Sequence, residues 1–563
     1  MRLENSVAVI KYLIASILVG VILGIGGAFA AQGFRSGIVI ISNYAEKLFG
    51  QDPNFFFYLI TLSVALILVH YSRALVNGKP FQSVADSIYL AHKSNNETDL
   101  KVGFISTLAA FFSASGGASI GQYGPLVHFG TTLGAWLKKT VPFNFTPDLY
   151  IGAGVAASIS SGFGAPLAGL IFAHEAILRH YSHKSILAIA TASGISYAVS
   201  TGIWGDTNII NVSSENFNLL LMLVISFLAG PIFGLIAIMY MKSLLLFANL
   251  ANSPKVKVFY KYSFCILSLS IIGHFMPEVM GLGTETVSGI LYSSYTLIFL
   301  VIILLGKIIA TSISLNFGFF GGVFSPAILV GAAAGAVVSA FLVKLGIFED
   351  FQQALVISGI AAVAGAVIGA PICMVIIVLE LTNSYAYALA SLVGLAISVG
   401  YVQVRFGSSY FDVQLLNRGI DISDGRTGLF MTETDILRFA DSNFNTIKES
   451  ETVADAISLM SKIDQSELIV VNQSGEFVGK TNSLSLFNKQ GPLSSVDVID
   501  KDCVFIKHDA SVQSAMEIAS DFVGEIIPIV QTDQNKAVAI ITEGAIFQAY
   551  LSKQSQTVEM EKR

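Results

Sequence analysis

Gly-Ala-Pro occurs twice inside long apolar stretches, and each time a glutamate stands nine residues after the proline. GAPLAGLIFAHE (164–175) and GAPICMVIIVLE (369–380) lie 205 residues apart, ending in Glu175 and Glu380. Upstream, GVAASISSGFGAP runs parallel to GIAAVAGAVIGAP at the same offset. GPLVHFGTTLG (124–134) pairs with SPAILVGAAAG (325–335), matching Pro125 with Pro326, Gly130 with Gly331 and Gly134 with Gly335. Three matches in the same order argue for an internal repeat. Proline in the first turn of a helix costs no hydrogen bond, so Pro125, Pro166, Pro326 and Pro371 read as helix starts. Short, proline-led apolar segments at matching places in two halves point to a transport site near a bilayer midplane. Close helix packing through small residues explains GAAAGAVV, but not the recurring prolines.

Charge places these repeats in a membrane. The chain has 563 residues, of which 53% are hydrophobic and only 12% charged, against about 25% charged in soluble proteins. Runs such as LVISFLAGPIFGLIAIMY approach the ~20 residues that cross a bilayer. VAVIKYLIASILVGVILGIGGAFAA reads as a first transmembrane helix, although AFAAQ resembles a cleavage site. From about residue 425 the composition is that of a soluble domain. There TVADAISLMSKI (452–463) resembles SVQSAMEIASDF (511–522), each a short amphipathic helix followed by two strands. Two such units predict one α/β module.

The expected fold is therefore a polytopic all-α membrane domain over 1–420, a linker over 421–435 and an α/β tail over 436–563. Net charge of −6 carries no basic run, so nucleic acid is not an expected partner. Cys265, Cys373 and Cys503 are scattered, with no disulfide framework or metal pattern. H-E-x-x-H and G-x-S-x-G are absent, and His128, His174, His180 and His183 have no metal spacing, so no enzyme is expected.

At this point the residues resemble the CLC chloride channels and transporters. GQYGPLVHFG (121–130) is similar to the family's G-x-E-G-P-x-x-H-x-G, and GFFGGVFSPAILVGAAAG (318–335) to its G-G-x-F-x-P. FGAPLAGLIFAHE and GAPICMVIIVLELTNSY resemble two further family motifs, so the match covers roughly residues 10–420. The tail resembles the paired CBS domains of many such proteins. The resemblance implies a CLC-type inverted repeat of tilted and half-spanning helices. It also implies a homodimer in a lipid bilayer, with one pathway for small inorganic anions per subunit. It places the protein in a plasma membrane, the bacterial inner membrane, with both termini cytoplasmic. Helix N-termini carry partial positive charge and free N–H donors, so they hold an anion weakly enough to release it. By resemblance Gly124, Val323 and Phe324 line that spot.

Several positions depart from the pattern. The family's gating glutamate is replaced by Tyr123. A phenol, with a reference pKa of about 10, stays neutral at pH 7, either lining the pathway and donating to an anion or packing as an aromatic. The proton-relay position after the conserved Glu175 is Ala176, and Glu175 itself reads as structural. Lys79 falls where the family places a pathway serine, either as a fixed positive charge or as a snorkelling side chain. Gln82, Ser83 and Asp86 are further polar candidates there. SYFDVQLLNRG offers Tyr410 and Phe411 for the last pathway position, and the count back from QLLNRG selects Phe411. In the tail, VGKTNSLS and AIITEGAI depart from the adenine-nucleotide pattern, with Ala545 in place of an aspartate. A structural or dimerising tail is favoured over one that senses nucleotide.

These losses favour a chloride channel or uncoupled uniporter. The alternative is a secondary transporter for chloride, bicarbonate or another oxyanion, coupled to a non-proton ion such as Na+. Asp86, Glu175, Ser158, Ser160 and Ser161 would then supply oxygen ligands. A non-transporting sensor is the third class; half-helices duplicated for no permeation argue against it.

Overall fold

The computed structural model describes residues 2–49, 54–93, 98–141, 143, 145–181, 183–205, 217–253, 257–292, 294–346, 351–423 and 425–562. The chain forms two compact units, Met1–Ile420 and Asp421–Arg563. Eight helices among the described residues are long and apolar enough to cross a membrane.

In the first unit, the first half comprises α1 (Arg2–Phe49), α2 (Phe55–Leu75), α3 (Val84–His92), α4 (Leu100–Ser115), α5 (Tyr123–Thr140), α6 (Pro147–Phe163), α7 (Pro166–Phe172) and α8 (Ile186–Trp204). The second comprises α9 (Leu219–Ala251), α10 (Val258–Phe275), α11 (Thr284–Leu291), α12 (Leu297–Phe317), α13 (Phe324–Lys344), α14 (Gln352–Ile368), α15 (Pro371–Thr382) and α16 (Tyr385–Arg405). A short α17 (Tyr410–Leu416) follows. Packing repeats with the sequence: α5 on α6 matches α13 on α14, and α1 on α8 matches α9 on α16.

The repeated glycines have a packing cause. A Cβ on Gly130 or Gly134 would fall 2.2 Å from a carbonyl oxygen of α6, and one on Gly335 2.1 Å from a carbonyl oxygen of α14. Backbone therefore meets backbone, which only glycine allows. Helices α6 and α14 are buried all round, as apolar, small-residue helices at the centre of a bundle should be. Pro166 and Pro371 open α7 and α15 as expected. Helices α5 and α13 instead begin two residues before their prolines, at Tyr123 and Phe324.

Two contacts relate the halves reciprocally. Gly121 and Gly322 form an antiparallel bridge, N to O at 2.7 and 2.8 Å. Glu175 accepts from the N–H groups of Ile372 (2.9 Å) and Cys373 (2.7 Å) at the start of α15. Glu380 accepts from Leu167 (2.8 Å) and Ala168 (2.9 Å) at the start of α7. Each GAP helix is capped by the glutamate of the other, which satisfies donors that a helix start leaves open. The paired spacing that first marked the repeat is thus an exchange of caps across an approximate two-fold axis.

The second unit opens with α18 (Gly425–Glu433), inside the stretch expected as a linker; its Leu429, Phe430 and Met431 are buried. Met431 shares the tail's own core with Ile506 and Val512, so a helix stands in the stretch expected as a linker. The two tail repeats then share one plan. Strand β1 (Thr446–Lys448), α19 (Val453–Ile463), β2 (Glu467–Val471), β3 (Phe477–Asn482) and α20 (Ser483–Leu486) form the first. Strand β4 (Ile506–Lys507), α21 (Val512–Ala519), β5 (Ile527–Gln531), β6 (Lys536–Ile541) and α22 (Glu543–Lys562) form the second. In both, the short strand pairs parallel with the next and the last pairs antiparallel. Ile469, Val471, Ile526, Ala537 and Ile540 share one core across the two repeats. Glu467, buried, accepts from Lys480 at 2.9 Å and from the backbone of Glu525 and Ile526 at 3.0 Å each.

Candidate anion site

Helix starts converge on one cavity of about 130 Å³ in the first unit. Its walls include Ser83 and Val84 at the start of α3, Gly124 and Pro125 in α5, Val323 ahead of α13, and Tyr410 and Phe411 opening α17. Their convergence follows from local chemistry. Ser83 caps α3 in a capping box with Asp86, while the Gly121–Gly322 bridge holds the lead-ins of α5 and α13 side by side. A Cβ on Gly322 would come within 3.0 Å of the Gly124 nitrogen, so this approach requires glycine.

The polar wall carries one guanidinium. Arg418 lines the cavity and its guanidinium meets Asp86 Oδ1 at 2.8 Å, while Asp86 Oδ2 accepts from the Ser83 backbone at 2.7 Å. Gln414 also lines it, with a buried Oε1 that lacks a partner. No aspartate or glutamate is among the lining residues. His128 sets the wall from behind, 2.8 Å from the Ser87 hydroxyl and 3.2 Å from Gln82 Oε1. Tyr240 donates to the Val323 carbonyl at 3.3 Å.

Tyr123 is 2% exposed and does not line this cavity. Its ring stacks on Phe163 at 3.7 Å between centroids and 16° between planes, and meets Phe324 edge-on at 5.5 Å. Gly124, after it, lines the first cavity. Gln122, before it, lines a second cavity of about 270 Å³. Tyr123 thus packs as an aromatic instead of lining either cavity, and forms with Phe163 and Phe324 a plug whose sequence neighbours Gln122 and Gly124 line different cavities.

The remaining expectations divide. Gly124, Val323, Tyr410 and Phe411 are together, and both members of the last pair line the cavity. Phe324 puts its ring in the plug. Lys79 is corrected: its side chain is 60% exposed and bonds Asp99 at 2.6 Å, outside the cavity. Phe81 and Ser83 of the same stretch line the cavity, and Ser83 supplies the polar group there. Ala176 is buried in a π-helical turn that continues α7, next to the capping Glu175. The five groups weighed for a hard cation do not assemble: Asp86 is held by Arg418, Glu175 caps α15, and Ser160 bonds the Ser193 carbonyl at 2.7 Å.

Arg418 and Gln414 were missed, although both lie in the quoted QLLNRG; the signal was a basic and an amide residue one helical turn apart. Lys307 was also missed. It is fully buried in α12 and donates to the carbonyls of Val279 (3.0 Å) and Gly281 (2.9 Å). Ser119 donates to the same Val279 carbonyl, and Gly281 donates back to Gly117. Lys307 thus anchors the lead-in to GQYGP from four residues before Tyr123. A lysine in an apolar run, costly in a membrane, was its signal.

Known proteins match this arrangement. Residues 83–403 match the family described as voltage gated chloride channel, and residues 432–479 and 495–552 match the CBS domain. An uncharacterized protein of Methanocaldococcus jannaschii is 25% identical over 403 residues, covering 71% of this chain and 94% of its own. Chloride channel protein CLC-f of Arabidopsis thaliana is 23% identical, covering 97% of this chain and 70% of its own. The H(+)/Cl(-) exchange transporter ClcA of Vibrio parahaemolyticus is 25% identical, covering 57% of this chain and 69% of its own. A slow cyanobacterial Cl-/H+ antiporter shares the fold at a TM-score of 0.63 and 20% identity, over 72% of this chain and 98% of that one. A eukaryotic CLC transporter does so at 0.62 and 16%, over 95% and 98%. With repeat, convergent helix starts and CBS tail all in place, the chain belongs to the voltage-gated chloride channel family, whose members are membrane channels or transporters for anions and not enzymes.

Proposed function

We propose that the protein moves small monovalent anions, chloride foremost, as an uncoupled channel or uniporter without proton exchange. One observation carries this reading: the cavity at the helix starts is lined by backbone, hydroxyls, amides and Arg418, with no carboxylate. Tyr123 and Ala176 stand where the resemblance assigns the gating and relay glutamates, so neither proton carrier is available. Helix starts plus one shared guanidinium favour an anion without trapping it. A homodimer with both termini cytoplasmic in a bacterial inner membrane belongs to the same reading. The tail acts structurally and needs no adenine nucleotide: Glu467 pairs with Lys480 inside the first repeat and accepts from the backbone of Glu525 and Ile526 in the second.

Sodium-coupled transport of chloride or an oxyanion is the second reading, favoured by the buried, unpartnered hydroxyls of Ser158 and Ser161. Chloride efflux from proteoliposomes distinguishes the two. Under the first reading efflux needs only a counter-ion path and is indifferent to sodium and protons. Accumulation of chloride driven by a sodium gradient would replace it with the second.

A further inference from the structure

The second cavity, on the Gln122 side of the plug, has a different chemistry from the first. Arg35 of α1, Gln122, and Thr284, Glu285 and Ser288 of α11 face its volume of about 270 Å³, which leaves room for a small anion with several waters. Gln122 is 4% exposed, and its side-chain oxygen has no partner. Buried amides are normally satisfied, so this one is waiting for a ligand or water. Arg35 is half-buried and has no hydrogen bond or ion pair among the described residues. The Arg35 cation would suit any anion, whereas the free Gln122 oxygen is an acceptor and suits only a ligand with a proton to donate. Glu285 does not suit any anion. Its carboxylate repels chloride and nitrate, which offer it nothing in return, but it accepts a hydrogen bond from an anion that carries its own O–H.

We propose that this cavity is a separate anion site, selective for a small monovalent oxyanion bearing an O–H, of the bicarbonate class, over halide or nitrate. The proposal deepens the anion-transport reading and rests on it. Arg35 holds the ionised oxygens, and Glu285 and the free Gln122 oxygen are the acceptors that face the hydroxyl. Nitrate is planar and similar in size but has no proton to donate, so the acceptor acts against it. Specificity here comes from a repulsive element as well as an attractive one. The first cavity has no lining carboxylate and does not make this distinction, so the second decides which anion waits at the plug.

The test is titration of the purified full-length protein with bicarbonate and with nitrate, next to chloride flux in proteoliposomes. Bicarbonate should bind about tenfold more tightly than nitrate, the worth of one hydrogen bond to a charged group. Glu285→Ala, at an exposed position, should bring that ratio near one while nitrate binding holds or improves. Arg35→Gln should weaken both anions. Equal binding in the unaltered protein, or a ratio that survives Glu285→Ala, overturns the site. Chloride flux with equal binding refutes the site and leaves the transport reading standing. Discriminating binding without flux of any anion refutes the transport reading and leaves the site.

Discussion

At Tyr123 an ordinary packing contact stands between two residues, Gln122 and Gly124, that line different cavities. Its ring lies against Phe163 and Phe324, contacts worth about 1 kcal/mol beyond simple burial. Tyr123→Ala should therefore join the cavities and raise chloride flux by roughly tenfold, the factor that ~1.4 kcal/mol off a barrier gives; unchanged flux would remove the plug from the account. Tyr123→Glu, with Ala176 kept, should make flux pH-dependent without coupling it to protons, because the relay carboxylate is still missing. Lys307→Met leaves the Gly281 carbonyl without its donor and should lower stability by about 1–3 kcal/mol, seen as a lower Tm. Tyr123 was legible in sequence as a departure from a motif. Its role as a plug was not, because Phe163 and Phe324 reach it only through tertiary packing.

Helices α7 and α15 show how a repeat becomes a fold. Neither has a side-chain cap of its own at the N-cap position, and each takes the glutamate of the other. Glu175→Ala should leave two N–H groups of α15 unpaired and cost about 2–4 kcal/mol, with Glu175→Gln recovering part of it through one acceptor oxygen. A thermal melt of the purified full-length protein measures both, and equal Tm values would contradict the capping role. The spacing of Gly-Ala-Pro and glutamate was visible in the sequence, as were the helix-contact glycines Gly130 and Gly335. The exchange was not, because spacing within one half says nothing about which half receives the cap. Short elements escaped for a different reason: α3, α11 and α17 are too brief to show an apolar period, and β1 and β4 have three and two residues. Ser83, on one of those short helices, took the place that the sequence had offered to Lys79.

Across the whole molecule, the division of labour follows charge. The apolar unit gives several of its ionisable side chains fixed partners: Glu175 and Glu380 on helix starts, Lys307 on two carbonyls, Asp86 and Arg418 on each other. The polar tail carries an ordinary soluble core twice over and closes the two copies with Glu467 and Lys480. If the tail is structural, millimolar adenosine nucleotides should leave its Tm unchanged; a concentration-dependent rise, as mass action demands of any ligand of the folded state, would restore a nucleotide site. Membership of the family and the two-unit organisation were written in composition and motifs, while the proposed absence of a proton path draws on the cavity walls as well. The reversal potential of the reconstituted protein in a planar bilayer is the most direct measure of that absence. With a tenfold chloride gradient and an opposing proton gradient, it should sit at the chloride potential, about 59 mV for a single charge, and stay there as pH changes on either side. A reversal potential that moves with the proton gradient would contradict the account.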